Sequence, residues 1–115
     1  MSDSIRHCLA LDLKNDPALI AEYELHHKNV WPEILKSIKD SGIISMDIYR
    51  VSNRLFMIME VNDVFSFEKK QQADTNNSKV QEWEELMWEY QQPLEGSAKG
   101  EKWKLMDKIF ELKEF

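Results

Sequence analysis

The chain has 115 residues, 43% of them hydrophobic and 31% charged, with three Gly and three Pro, which describes one globular domain over residues 1–115 with one core burying roughly two-thirds of the unfolded surface. Twenty-one acidic residues against 15 basic ones give a formal charge of −6, and no Lys/Arg run exceeds the pair Lys69, Lys70, so nucleic acid and anionic membrane surfaces are poor partners. There is no signal-like N-terminus and no run of roughly 18 apolar residues, so the expectation is a cytoplasmic protein, in which the lone Cys8 is a buried inert thiol with no partner for an internal disulfide.

Residues 5–13, IRHCLALDL, alternate Ile5, His7, Leu9, Leu11 and Leu13 against Arg6, Cys8, Ala10 and Asp12, the period of a first strand. Asp16 can cap a helix that Pro17 begins, and apolar residues then recur at three- and four-residue spacing as far as Gly42. Within that segment Pro32 removes a backbone donor and disfavours helical geometry at Trp31, so the helix should stop or kink around residues 28–31 and restart at Pro32. Residues 43–51 and 55–61 read as two antiparallel strands joined by a tight turn at Ser52 and Asn53. Residues 64–73 and 79–91 read as helices, the second with Val80, Trp83, Met87 and Tyr90 on one stripe. Residues 108–115 alternate well enough for a last strand, with helix as the competing reading.

That order predicts an α+β, ferredoxin-like domain: a four-stranded antiparallel sheet with helices on one face. Residues 55–61 carry apolar groups on both sides of the strand, so the sheet face without helices needs a lid. A second copy of the chain supplies it, giving a homodimer packed sheet to sheet in the dimeric α/β barrel manner.

The stretch YELHHKNVWPEI (23–34) concentrates the chemistry. Four-residue spacing puts Tyr23, His27 and Trp31 on one helix face, so a phenol, an imidazole and an indole line one side of a groove. The break before Pro32 lets His27 and Trp31 face a cavity, and a position near a helix C-terminus favours the protonated imidazole, which suits a proton donor. The same positions also suit a packed core, Tyr23 and Trp31 as apolar stripe and His27 as a hydrogen-bonded core histidine. His26, about a hundred degrees round the helix, should face solvent. Adjacent histidines point apart and His7 is remote, so no metal site is expected. With no phosphate-cradling glycine loop or nucleophile elbow, nucleotide cofactors are not expected either. Trp83 on its acidic helix serves equally as core or as a sugar-binding wall. Glu60 is either an edge residue in water or an inward carboxylate.

Taken together, Tyr23-x3-His27-x3-Trp31-Pro32-Glu33, then Gly42, then the strand pair IYR…LFMIMEV and a late-helix Trp, resemble the L-rhamnose mutarotase family along nearly the whole chain. The resemblance implies a cofactor-free, homodimeric isomerase that interconverts the α and β anomers of a monosaccharide, L-rhamnose in the first place. It implies that His27 is the proton donor and that Tyr23 contacts the sugar. Two departures touch substrate recognition: Met46 stands where the family has a sugar-contacting tyrosine, with Tyr49 nearby kept, and Glu84 stands where a second Trp would follow Trp83. L-fucose, another 6-deoxy-L-hexose, is therefore the alternative substrate. The expected site comprises His27 as acid/base, with Tyr23, Trp31, Met46, Tyr49, Glu60, Trp83 and Glu84 around the sugar, and Glu60 or a water as complementary base. Cofactor-free monooxygenase-like enzymes and non-catalytic binding dimers share this fold and are the rival classes.

Overall fold

The computed structural model describes residues 4–112, and local chemistry sets most element boundaries within them. Strand β1 (Ile5–Leu13) follows its alternation. Asp16 then accepts hydrogen bonds from the N–H groups of Ala18 (2.9 Å) and Leu19 (3.3 Å), and helix α1 (Pro17–His26) begins at Pro17. The chain leaves the helix at His27 and re-enters it at Pro32. Trp31 takes ψ 138°, the extended geometry a following proline imposes, and α2 runs Pro32–Asp40. The predicted break is therefore present.

Gly42 ends this unit at φ +101°, and a Cβ there would sit 2.5 Å from Asn62 Oδ1. Left-handed geometry and a close neighbour both require glycine. Strands β2 (Ile43–Val51) and β3 (Arg54–Val61) form the hairpin, with Ser52 at φ 54° in its turn. Ser66 and Asn77 accept from the backbone N–H groups that open α3 (Phe67–Thr75) and α4 (Ser78–Trp88). Two short strands follow, β4 (Gln91–Gln92) and β5 (Lys104–Leu105).

The strands lie in the order β2-β3-β1-β4, every pair antiparallel, and β5 pairs with β1 further along the same strand. This is the ferredoxin-like α+β arrangement that the element order predicts. Register puts Leu9 and Ile48 beside Met57 and Met46 beside Met59, on the face that packs with the helices. The opposite face pairs Cys8 with Ile58 and Ala10 with Phe56, bordered by Arg6–Glu60 and Arg54–Asp12 ion pairs, each 2.8 Å.

Three expectations are corrected. No strand forms at 108–112, where the chain is irregular and Ile109, Phe110 and Leu112 are exposed, while the remainder of the expected strand, 113–115, lies outside the described residues. Its place beside β1 is taken by β4 and β5, too short to leave a periodic signal. Cys8 is half-buried on the helix-free face, not sealed in a core. Finally, the buried residues form two clusters, one around Tyr23, Trp83 and Met87 and one around Met57 and Met59, bridged by Ile38, Ile48 and Trp103. Residues of both clusters line a cavity between helices and sheet.

Candidate active site

The last turn of α1 supplies the titratable group. Tyr23 is buried, and His27, one turn later, caps the helix with its backbone N–H directed to the carbonyls of Tyr23 and Glu24. The His27 ring adds a second contact to the same carbonyl, Nδ1 lying 2.9 Å from Tyr23 O. A carbonyl only accepts, so Nδ1 carries the proton, and in the neutral ring Nε2 is left with a free lone pair. Among the described residues the side-chain polar atom that is both sealed and unpaired is Ser97 Oγ, so Nε2 keeps access to space beyond the ring. The ring is held between the Tyr23 ring at 4.4 Å and the Trp83 indole at 5.7 Å.

Burial lowers the His27 pKa, against a smaller opposing effect of the Tyr23 carbonyl. This corrects the expectation that the helix terminus favours the imidazolium: desolvation is the larger influence here. Tyr23, more deeply placed, has its phenol pKa raised by burial.

His27 opens onto a cavity of about 1010 Å³ lined by Tyr23, Met46, Trp83 and Glu84 among others. That volume is at the upper end of the range for small-molecule sites. One flank is apolar, with Met57, Met59 and Ile48 rising from the sheet. The other is polar: Gln81 Nε2 donates to Glu84 Oε2 (3.1 Å), and Lys70 and Ser37 hold the Asp74 carboxylate at 2.8 and 3.2 Å. Trp83 serves both sequence readings, buried to 9% exposure yet part of the cavity wall.

Three expected site residues are elsewhere. Trp31 stands behind Trp83, edge-on at 5.2 Å, and faces a shallow outer groove with Lys79 and Glu82. Tyr49 is paired with Phe56 on the helix-free face of the sheet. Glu60 lies on that face too, bound to Arg6 and to the Ser4 hydroxyl, which hold its carboxyl below the usual range. Strand alternation is the physical reason: Met46 points to the cavity, so Tyr49, an odd number of residues away, points from it. His26, expected in solvent, is half-buried with Nε2 3.1 Å from the Tyr90 hydroxyl.

Two lining elements escaped the sequence reading. Gln91, 6% exposed, reaches Tyr23 Oη with Nε2 at 3.4 Å, and the segment carrying Lys102 and Trp103 closes part of the wall. Neither has a periodic or motif signal. Among the described residues no three His, Cys, Asp or Glu side chains converge as a metal-binding group.

Comparison with known proteins places the chain in a family. The L-rhamnose mutarotase family model matches residues 6–112. An L-fucose mutarotase of Xanthomonas campestris is 43% identical over 111 residues, covering 95% of this chain and 89% of that protein. An L-rhamnose mutarotase of Acidiphilium cryptum is 42% identical over 41 residues, covering 36% and 39% of the two chains. The crystal structure of an L-rhamnose mutarotase from Formosa agariphila superposes with a TM-score of 0.67 at 19% identity, over 95% of this chain and 99% of that one, which shows the shared fold. The protein whose His27 opens onto this cavity thus belongs to the L-rhamnose mutarotase family of carbohydrate isomerases.

Proposed function

We propose that the protein is a mutarotase for a 6-deoxy-L-hexose, with His27 as its acid/base group. The observation that carries the reading is the His27 ring: Nδ1–H is spent on the Tyr23 carbonyl, and Nε2 is free beside a cavity with room for a monosaccharide and a tryptophan wall. In the first step neutral Nε2 takes the proton of the anomeric hydroxyl while the bond from the anomeric carbon to the ring oxygen breaks, and water in the cavity protonates the ring oxygen. The open aldehyde rotates about its first carbon–carbon bond. The ring oxygen then attacks the other face, its proton leaves to water, and the imidazolium returns a proton to the new anomeric hydroxyl. Each proton transfer is balanced and His27 ends as it began. Glu60, on the far side of the sheet, has no part in this scheme. Tyr23 orients the sugar, and Trp83 packs on an apolar face of it.

Of the two candidate sugars, L-fucose is favoured over the initial expectation of L-rhamnose. The support is the 43% identity over 95% of the chain to a relative named L-fucose mutarotase, together with Met46 and Glu84 in the cavity wall. We further propose that the working unit is a homodimer joined through the helix-free sheet face.

The test is saturation-transfer NMR of anomer exchange on L-fucose and L-rhamnose, with wild type and His27→Ala. The expected result is accelerated exchange, greater for L-fucose, that falls by about 10²- to 10⁴-fold in the variant. Acceleration of neither sugar overturns the mutarotase reading. Equal rates in wild type and variant overturn the role of His27.

A further inference from the structure

We propose that Gln91 and Tyr23 together form a hydroxyl-recognition subsite, in which Gln91 fixes the Tyr23 phenol as a donor into the cavity and offers its own carbonyl oxygen beside it as the acceptor. This rests on the reading of the cavity as a sugar site. Gln91 is the first residue of β4, its Cα paired with that of Leu13, so its side chain is directed with Leu13 toward the helix-covered face. It is 6% exposed. An amide in such a place is unfavourable unless its polar atoms are satisfied, and an apolar residue would pack as well.

Among the described residues only part of that requirement is met. Nε2 lies 3.4 Å from Tyr23 Oη, and an amide nitrogen can only donate, so the phenol oxygen accepts and its own hydrogen is released for another partner. The Gln91 oxygen makes no hydrogen bond within the described residues, yet it is not among the sealed and unpaired atoms. Both residues line the cavity. Besides the second Nε2 hydrogen, the open valences of the pair are one donor, the Tyr23 O–H, and one acceptor, the Gln91 oxygen, on groups already hydrogen-bonded to each other.

A neutral hydroxyl matches that pair, since its oxygen accepts from Tyr23 and its hydrogen is donated to Gln91. A deoxy carbon leaves both valences unmet, an ether satisfies only one, and a carboxylate meets the Gln91 oxygen as a second acceptor. Gln91 is thus a positioning and specificity residue for a polyol substrate, acting partly through Tyr23.

The experiment measures anomer exchange of the accepted sugar and of its analogues singly deoxygenated at the second, third and fourth carbons, with wild type, Gln91→Leu and Gln91→Glu. Gln91→Leu is expected to raise KM by about tenfold while kcat moves less. One deoxy analogue that wild type discriminates against should lose little further in Gln91→Leu, because the hydroxyl and its partner count once. An ionised carboxylate in Gln91→Glu only accepts, so it turns the phenol hydrogen away from the sugar. The ratio of variant to wild-type activity should therefore rise as pH falls and the carboxyl gains a proton. A merely structural role moves thermal stability without altering the ranking of analogues or this ratio. If Gln91→Leu does not fold, Gln91→Met, closer in shape, carries the same comparison. An active wild type whose KM and analogue ranking survive both substitutions overturns the subsite. A wild type that accelerates neither sugar overturns the underlying reading itself.

Discussion

His27 is subject to opposing effects on its proton, with the neighbouring His26 adding to that of burial. Burial disfavours the imidazolium and the Tyr23 carbonyl favours it, with burial the larger influence. The neutral ring with an open Nε2 is then the resting form at neutral pH, and in the proposed mechanism the catalytic step begins with proton removal. Exchange activity is predicted to fall as pH drops, with a midpoint below the ordinary histidine value of about 6.5. A profile that instead rises into acid would identify the imidazolium as the starting form. Stability follows by linkage. Between the lowered folded pKa and the unfolded value the unfolded chain binds more protons, so folding free energy is lost as pH falls through that window. His27→Gln should flatten this slope in urea titrations at several pH values. At this scale the sequence is legible where spacing fixes a shared face, as for Tyr23 and His27. It fails for Tyr49, whose strand parity opposes that of Met46, leaves Glu60 between an edge and an inward position, and misses Gln91, which opens a two-residue strand with no period to read.

The elements show which physical signals reach across a few residues and which do not. Asp16-Pro17, Trp31-Pro32 and Gly42 each act on their own backbone, so helix starts, the break and the stop are all readable from the residues themselves. Strands β4 and β5 owe their existence to pairing with β1, two residues apiece, and no local preference announces them. Residues 108–112 mislead in the opposite way: alternation is present, but nothing within the described chain pairs with them. Gly42 offers the clearest test at this scale. Gly42→Ala places a methyl group 2.5 Å from Asn62 Oδ1 at φ +101°, where that atom also accepts from the Val64 N–H. The expected cost is about 1–3 kcal/mol, read as a lower urea midpoint with an unchanged slope. An unaltered midpoint would show that the β2 entry relaxes freely.

For the whole molecule, the sheet divides two chemistries. Helices and cavity occupy one side, and the other presents Cys8, Ala10, Phe56 and Ile58 with ion pairs at its margin. An apolar centre with a charged border is the composition of a protein interface, and sedimentation is expected to return a dimer at micromolar concentration. A monomer there would remove the sheet-to-sheet model. The cavity wall itself is unevenly secured. Trp103 and Lys102 close it, and among the described residues the segment that carries them is held by the packing of Trp103 on both core clusters, by two-residue β5 and by the bond from Met106 N–H to the Cys8 carbonyl at 2.8 Å. With two paired residues against the eight of β1–β3, such a segment is expected to detach at lower free energy than β1–β3 unzips. Its amides therefore act as a clock for occupancy: where detachment and sugar release are one event, the solvent-exchange rate of the Met106 amide slows by the factor 1 + [sugar]/Kd while the β3 amides keep their pace.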